Sequence, residues 1–180
     1  MIRILIGALS LLGLFGCVSH AVTTDDFAGT ATERNALVAD ITKERMAIEA
    51  RKAQLDRLTV PTDKLEERIK QKWSKLEFYS RNGQVQRIKS YPHDGISTRT
   101  EEFYFRDGQL IFAYIQDNGV HSEAGGQHTT GKEYYYDEGR FVAERNLSGE
   151  KEYSIRHSDE ERLEAEAMEY VDIFESYRKS

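Results

Sequence analysis

Three segments in the middle of the chain repeat one pattern, and this repetition restricts the fold more than any other feature. Each unit begins with a glutamate and an aromatic residue, continues with a tyrosine, and then reaches a polar residue followed by glycine. The units occupy residues 77–85, 102–110 and 133–141. Asn-Gly and Asp-Gly between alternating apolar residues are typical of two-residue β-turns with positive φ at both positions. The pattern therefore predicts three β-hairpins in an antiparallel sheet.

A two-residue turn also predicts the register within each hairpin. It places Phe105 opposite Leu110 and Phe103 opposite Phe112. In the other two units the equivalent pairs are Ser80 with Val85, Phe78 with Arg87, Tyr136 with Phe141, and Tyr134 with Ala143. Because side chains alternate along a strand, these residues are predicted to form one largely apolar face of the sheet.

The opposite face carries one tyrosine from each unit. The members of this candidate binding face are Tyr79, Tyr104 and Tyr135, with Ile88, Ile111 and Val142 expected beside them. Tyrosine combines a large apolar ring with a polar tip, which suits a binding surface. The alternatives are that the short helix predicted after Pro61 covers this face, or that strand propensity alone selects half-exposed tyrosine at these positions.

A long helix is predicted before the sheet. Residues 32–58 contain no glycine or proline and are rich in Glu, Lys, Arg and Ala, which favours a helix that ends before Pro61. The apolar residues of this segment form a narrow stripe of Leu37, Ile41, Ile48, Leu55 and Leu58. Such a stripe fits either a helix that self-associates into a dimer or stalk, or one that packs along the sheet.

Two further helices are predicted, one short and one at the C-terminus. Asp63 and Glu66 have the spacing of a capping box, and so do Ser158 and Glu161. The short helix would present Leu65, Ile69 and Trp73 to the core, and the C-terminal helix would present Leu163, Ala167, Tyr170, Val171, Phe174 and Tyr177. This second stripe is wide enough to cover the apolar face of the sheet.

The predicted architecture is therefore α+β. A meandering antiparallel sheet of about six strands follows a long and a short helix and precedes a C-terminal amphipathic helix. The expected organisation is a signal segment at 1–17, a flexible tether at 18–31, helices at 32–75, and the sheet with its last helix at 76–180.

The first part of the chain has the composition of an export signal. Arg3 precedes an unbroken run of apolar and small residues, which ends in Leu14-Phe15-Gly16-Cys17. A cationic start, a short apolar stretch and small residues at the cleavage point are typical of a secretory signal peptide, and the stretch is too short for a membrane span.

The Leu-x-Gly-Cys ending resembles the lipobox of bacterial lipoproteins. The resemblance implies that Cys17 becomes the lipidated first residue of the mature protein, bound to the membrane through acyl chains such as palmitate. It also implies that Val18, which is not aspartate, favours sorting to the outer membrane, facing the periplasm. An ordinary signal peptide cleaved nearby is the alternative, because Phe15 stands where a smaller residue is usual.

Composition narrows the range of partners. With 25 basic and 31 acidic side chains, the net charge is −6. An acidic protein lacks the basic footprint that nucleic acid binding requires, so we expect no nucleic acid partner. Since Cys17 is the only cysteine and its thiol would carry lipid, no disulfide is possible in the mature fold. We expect a protein or another envelope component as partner.

No catalytic motif is recognisable in the chain. It has no nucleophile elbow, His-Glu-x-x-His motif, P-loop or glycine-rich dinucleotide turn, so we expect no catalytic residues and no cofactor. His121, Glu123 and His128 are weak candidates for metal ligands, but their spacing fits no standard site. We expect a solvated loop there and no metal.

The three tyrosine-rich units resemble the MORN-variant repeats of many bacterial proteins, including antitoxin-like components. The resemblance covers 77–145 and implies a sheet that binds or scaffolds, with no catalytic residues. The sequence as a whole thus leads us to expect a lipid-anchored envelope protein with a non-catalytic binding or scaffolding domain. A structural lipoprotein that self-assembles through 32–58 and an unrecognised periplasmic enzyme are the alternatives.

Overall fold

The computed structural model describes residues 29–65, 69, 72–93, 99–117, 130–147 and 157–179. These residues form two helices and seven strands. The helices are α1 (Ala31–Arg51) and α2 (His157–Arg178), and the strands are β1 (Asp56–Pro61), β2 (Trp73–Arg81), β3 (Gln84–Pro92), β4 (Arg99–Arg106), β5 (Gln109–Asp117), β6 (Thr130–Asp137) and β7 (Arg140–Asn146). Neither helix of this described part is long and apolar enough to span a membrane.

The strands form one sheet in which every neighbour in space is also a neighbour in sequence. The order is β1 to β7 and every pairing is antiparallel. The predicted α+β class is thus confirmed as a hairpin meander with one helix before it and one after it. The number of strands is seven among the described residues, rather than about six.

The additional strand is β1, where the sequence predicted the end of the long helix. Helix α1 ends at Arg51, a short 3-10 turn follows, and the chain enters β1 at Asp56. The helix prediction for 52–58 was wrong because an alternating pattern, with Leu58 partly buried and Val60 buried, prevails over helix propensity at that point. Pro61 then occupies the last position of this edge strand, where its missing N–H costs little.

The three predicted hairpin turns are confirmed. Asn82 and Gly83 have φ of 53° and 77°, so both central residues adopt the left-handed conformation. Asp107 and Gly108 do the same at 53° and 82°. In the third turn, Glu138 and Gly139 have φ of 51° and 72°, although the first position is a glutamate rather than Asn or Asp. These values define the two-residue turn that joins strands with the natural twist of a sheet.

Beyond the first pair, each hairpin departs from the predicted register. The pair next to the turn is as predicted, with Phe105 opposite Leu110, but Tyr104 then faces Phe112 and Phe103 faces Ala113. One extra residue on the second strand of each hairpin forms a β-bulge. The predicted pairs that prove wrong are Phe103 with Phe112, Phe78 with Arg87, and Tyr134 with Ala143.

The bulges change which residues share a face. Phe112, Arg87 and Ala143 now pair with the tyrosines of the candidate face, whereas Ile88 belongs to the opposite face. A single inserted residue has this effect because side chains alternate with a period of two. The bulge thus brings a buried cation, Arg87, beneath α1, where sequence reasoning placed none.

The opposite, largely apolar face is covered by α2. We call its cluster the α2-side core, and its buried members are Val60, Leu65, Ile69, Trp73, Leu76, Phe78, Val85, Ile88, Phe103, Phe105, Leu110, Ala113, Tyr134, Tyr136, Leu163, Ala167, Tyr170 and Phe174. The prediction that Leu65, Ile69 and Trp73 belong to the core is therefore confirmed. Trp73 lies on β2 rather than on a helix. The structure does not describe residues 66–68, 70 and 71, nor the side chains of Ser158 and Glu161, so the two predicted capping boxes stay predictions.

The face of Tyr79, Tyr104 and Tyr135, which we call the tyrosine face, is covered by α1 and not by the predicted short helix, whose Leu65 and Ile69 lie in the α2-side core. We call this second cluster the α1-side core, and its buried members are Ile41, Ile48, Leu55, Tyr104, Ile111, Phe112, Tyr135 and Val142. The narrow stripe of α1 therefore lies against the sheet, with Ile41 and Ile48 fully buried. The helix begins at Ala31 with a complete capping box between Thr30 and Glu33.

Candidate functional site

In every hairpin unit, the tyrosine of the candidate face bonds to the glutamate two residues before it. Residues i and i+2 of a strand lie on the same face, so the two side chains meet. The hydroxyl-to-carboxylate pairs are Tyr79 to Glu77 at 3.0 Å, Tyr104 to Glu102 at 2.8 Å, and Tyr135 to Glu133 at 2.7 Å. The repeated Glu-aromatic-Tyr sequence thus produces one hydrogen bond per hairpin.

Cations beside these glutamates balance their charge. The ion pairs are Arg57 and Lys75 with Glu77, Arg87 and Lys89 with Glu102, and Arg145 with Glu133. Lys89 lies directly opposite both Glu77 and Glu102 in the sheet. Opposite charges on adjacent strands stabilise the register they belong to, so this row of charges reinforces the meander.

Glu77 has the largest number of donors in this row. Its side chain is only 2% exposed, and its carboxylate accepts from Lys75, Arg57, Tyr79 and Tyr91. Burial alone would raise the pKa of Glu77, but these hydrogen bonds outweigh it and hold the pKa at about 2. Glu77 is therefore ionised over the whole physiological pH range.

Arg87 and Tyr104 connect the sheet to α1. The Arg87 guanidinium is buried and lies 2.7 Å from Glu49 of α1 and 2.8 Å from Glu102. The Tyr104 hydroxyl lies 2.8 Å from Glu102 and 3.0 Å from Glu49, and it accepts from Arg87 at 3.2 Å. The hydroxyl has a single proton, so it can donate to only one of the two carboxylates at a time. The other carboxylate is still neutralised by Arg87, which pairs with both.

The tyrosines of this face differ in accessibility. Tyr104 and Tyr135 are each 2% exposed beneath α1, whereas Tyr79 is partly buried at the edge of the helix. Burial and the nearby glutamate raise the pKa of Tyr104, and burial and the Glu133 hydrogen bond raise that of Tyr135. These hydroxyls keep their protons at neutral pH and act as fixed hydrogen-bond donors. A partner reaches Tyr104 or Tyr135 only if α1 moves away.

A second polar cluster lies on the opposite face, which the sequence analysis predicted to be largely apolar. The Tyr170 hydroxyl accepts from the Trp73 indole N–H and donates to Glu166, both at 2.6 Å. Lys72 pairs with Glu166 at 2.9 Å. This chain of bonds joins α2 to the start of β2. Because side chains alternate along a strand, Glu101 lies on the same face as Phe103 and Phe105. The presence of a glutamate on this face could therefore have been predicted from the sequence.

Glu101 is the least satisfied group of that cluster. It is 2% exposed, and its Oε1 accepts a hydrogen bond from Arg99, while its other oxygen, Oε2, has no hydrogen-bond partner. Burial and the neighbouring charge of Glu166 raise the pKa of Glu101. For Glu166, hydrogen bonds from Tyr170 and Lys72 outweigh burial and lower the pKa. A buried charge with one unpartnered oxygen is unfavourable, so Glu101 weakens the fold when ionised.

A cleft of about 330 Å³ opens between β1 and the end of α2. Its walls include the apolar parts of Leu58, Phe174 and Tyr177, and Ser80 and Arg178 also line it. The Tyr177 hydroxyl donates to the backbone oxygen of Lys64, which fixes the ring against the β1–β2 connection. No motif in the sequence indicated this cleft, because its lining residues belong to β1, the β2–β3 hairpin and the end of α2, which are far apart in the sequence.

The remaining site predictions concern residues outside the described part. Cys17 lies there, and so do His121, Glu123 and His128, so the structure gives no geometry for lipidation or for a metal at that loop. Within the described ranges, no group of three or more His, Cys, Asp or Glu side chains is placed to hold a metal ion.

By its described architecture, the chain belongs to the α+β class, with one antiparallel meander packed between two helices. Comparison with known proteins finds no match to a protein-family model, to a curated protein or to a solved structure.

Proposed function

We propose that this chain is a lipid-anchored protein of the bacterial cell envelope whose domain binds or scaffolds another envelope component without catalysing a reaction. The observation that carries the proposal is the export signal ending in Leu14-Phe15-Gly16-Cys17, with Arg3 near its start. A lipidated cysteine at this position anchors the protein through acyl chains, and the signal segment itself is removed. The membrane in question is the outer membrane, on its periplasmic side.

The distance between anchor and domain supports a role close to the membrane. Residues 18–30 separate Cys17 from the start of α1 at Ala31. Thirteen residues span at most about 45 Å when fully extended. The domain therefore works within that distance of the lipid, which is short enough to limit its partners to membrane-associated molecules and nearby envelope components.

The domain itself supports binding rather than chemistry. On the tyrosine face, the glutamate of each unit pairs with a cation and accepts a hydrogen bond from the tyrosine of the same unit. The pKa of Tyr104 is raised, so it keeps its proton, and these fixed contacts make the face rigid. The surface that remains accessible includes the outer edge of β1 and the adjoining cleft. A rigid sheet with an accessible edge is a common arrangement for protein recognition.

Anchoring is tested by metabolic labelling with an alkyne analogue of palmitate. The wild-type chain should incorporate the label and fractionate with membranes. Cys17→Ala should lose both the label and the membrane association, whereas the neighbouring Ser19→Ala should keep them. Label in the Cys17→Ala variant, or soluble wild-type protein after export, would contradict a lipid anchor at this residue.

Binding is tested by site-specific photocrosslinking in intact cells. Single crosslinking residues at Met46 on the outer side of α1, at Arg140 in the β6–β7 hairpin, and at Arg178 beside the cleft sample three exposed regions. A discrete crosslinked species at one of these positions is the expected result. The absence of any crosslinked partner at all three positions would contradict the binding role.

A further inference from the structure

The outer edge of β1 is available for strand pairing. β1 is the first strand of the sheet, and among the described residues only β2 pairs with it. The pairing with β2 is regular from Asp56 to Pro61, without a bulge that would twist the edge away. In an antiparallel ladder, alternate residues of an edge strand direct their N–H and C=O groups outward. A short extended segment of another protein can therefore continue the sheet at this edge.

The cleft lies on the side of β1 that faces α2. Leu58 points towards this side, together with Phe174 and Tyr177 of the last turns of α2. A segment that pairs with β1 directs every second side chain to the same side. Since about 330 Å³ is at the lower end of small-molecule sites, the cleft suits one or two apolar side chains better than a large ligand.

The charge at the cleft selects the partner. Its charged lining residues are Arg57, Arg178 and Asp56, and Arg57 is already paired with Glu77, so Arg178 is the lining cation that an incoming carboxylate can reach in a chain whose net charge is −6. Arg178 is 47% exposed and pairs with Glu175 on its own helix. Gly83 leaves room for it, because a Cβ at that position would lie 2.8 Å from the Arg178 guanidinium. An exposed guanidinium that lines the cleft favours a carboxylate on the incoming segment.

We propose that an extended, acidic segment of a partner protein pairs with the outer edge of β1, inserts an apolar side chain into the cleft beside Leu58 and Phe174, and places a carboxylate against Arg178. This recognition mode is β-strand addition, in which main-chain hydrogen bonds give affinity and alternate side chains give specificity. The proposal rests on the proposed binding function and names its site and the chemistry of its partner.

The test uses the full-length lipoprotein in nanodiscs and a fluorescent peptide of alternating Glu and Val or Leu. Fluorescence anisotropy should report saturable binding with a dissociation constant below about 1 mM, which is typical of a short segment. Hydrogen–deuterium exchange should slow in β1 when the peptide is bound. A peptide with Lys in place of every Glu should bind at least ten-fold more weakly.

A charge reversal with a matched control locates the contact. Arg178→Glu should weaken binding of the acidic peptide at least ten-fold and should improve binding of the Lys peptide. Arg140→Glu makes the same change in a hairpin at the far side of the sheet and should leave both affinities unchanged. Because both arginines are exposed, neither variant should unfold the domain.

Three results of the peptide experiments would overturn the proposal. These are no binding of the acidic peptide, binding without slower exchange in β1, and equal effects of Arg178→Glu and Arg140→Glu. Concentration-dependent protection of β1 without peptide would identify a second copy of the chain as the occupant, which also contradicts it. A photocrosslinked partner at Met46 together with any of these results would leave the proposed binding function intact, so the two failures are distinguishable.

Discussion

The two helices cover opposite faces of one sheet, yet their interfaces are of different kinds. Helix α2 buries Leu163, Ala167, Tyr170 and Phe174 against a continuous apolar and aromatic layer. Among the side chains of α1, only Ile41 and Ile48 are buried, and ion pairs such as Arg87 with Glu49 and Arg106 with Asp40 add to its contact with the sheet. The same hairpin repeat thus supports a large, mainly apolar interface on one face and a smaller interface that combines apolar contacts with ion pairs on the other.

The difference between the two interfaces indicates which of them contributes more to the stability of the domain. A fully buried aromatic side chain contributes about 2 to 3 kcal/mol, whereas a partly exposed ion pair contributes about 1 kcal/mol or less. The α2-side core should therefore hold the fold together, and the α1-side core should chiefly fix the position of the helix that follows the proposed anchor segment. Each of the following changes tests one side of this comparison.

The largest effect should come from the α2-side core. Phe103 is fully buried and contacts the edge of the Tyr170 ring at 5.8 Å between centroids. Phe103→Ala should lower the free energy of unfolding by about 4 kcal/mol, because a cavity remains where the ring was. Urea denaturation measures this loss, with Met168→Ala at an exposed position of α2 as control. A loss below about 1 kcal/mol would show that the α2-side core is loosely packed.

Acid should act on the α1 side of the sheet through Glu77. The folded-state pKa of about 2 is below the ordinary 4.5, so ionised Glu77 stabilises the fold above pH 4.5 and the contribution is lost as the pH falls towards 2. The shift corresponds to about 3 kcal/mol. Chemical denaturation from pH 7 to pH 2.5 should show this loss in the wild type and a flatter profile in Glu77→Gln. Parallel profiles for the two proteins would contradict the assignment.

Glu101 on the α2 side should show the opposite sign. Its pKa is raised, so the protonated carboxyl is favoured in the fold and stability is lost as the pH rises above 4.5 through the folded-state pKa. Glu101→Gln should therefore raise the free energy of unfolding at pH 7, by about 1 kcal/mol. The gain should shrink at pH 4, where the wild-type carboxyl is protonated. A variant that is less stable than the wild type only at pH 7 would show that the Arg99 pair dominates instead.

The smallest effect should come from the exposed ion pair between α1 and the sheet. Arg106 lies 2.7 Å from Asp40, whose side chain is 57% exposed. Asp40→Asn should change the free energy of unfolding by less than about 0.5 kcal/mol, since such pairs are screened by water and salt. Thermal unfolding at low and high salt measures it. A loss of 2 kcal/mol or more would mean that α1 is held mainly by its ion pairs.

The features of the fold that were predictable from the sequence are those set by local chemistry. Asn82-Gly83 and Asp107-Gly108 specify their turns because both positions require positive φ. The bulges were not predictable, because an extra residue such as Ile111 is as apolar as its neighbours and leaves no local sign. Strand β1 was missed because its partner, β2, lies beyond the residues that a helix propensity takes into account.

Some features of the candidate site were likewise predictable from the sequence and others were not. The i, i+2 spacing of glutamate and tyrosine was visible in all three units and directly implies the hydrogen bond between Tyr104 and Glu102. That α1 covers this face was not visible, because the narrow stripe of α1 fits a helix partner as well as a sheet. The cleft beside β1 depends on the meeting of Leu58 with Phe174, which only the completed fold brings about.

Native-state hydrogen exchange tests the central comparison most directly, because it gives a separate opening free energy for each helix in one experiment. The account predicts that the amides of Leu163–Phe174 exchange only through global unfolding, whereas those of Ile41–Ile48 exchange through a local opening at lower free energy. Equal opening free energies for the two helices, or a lower one for α2, would contradict the conclusion that the α2-side core holds the fold together.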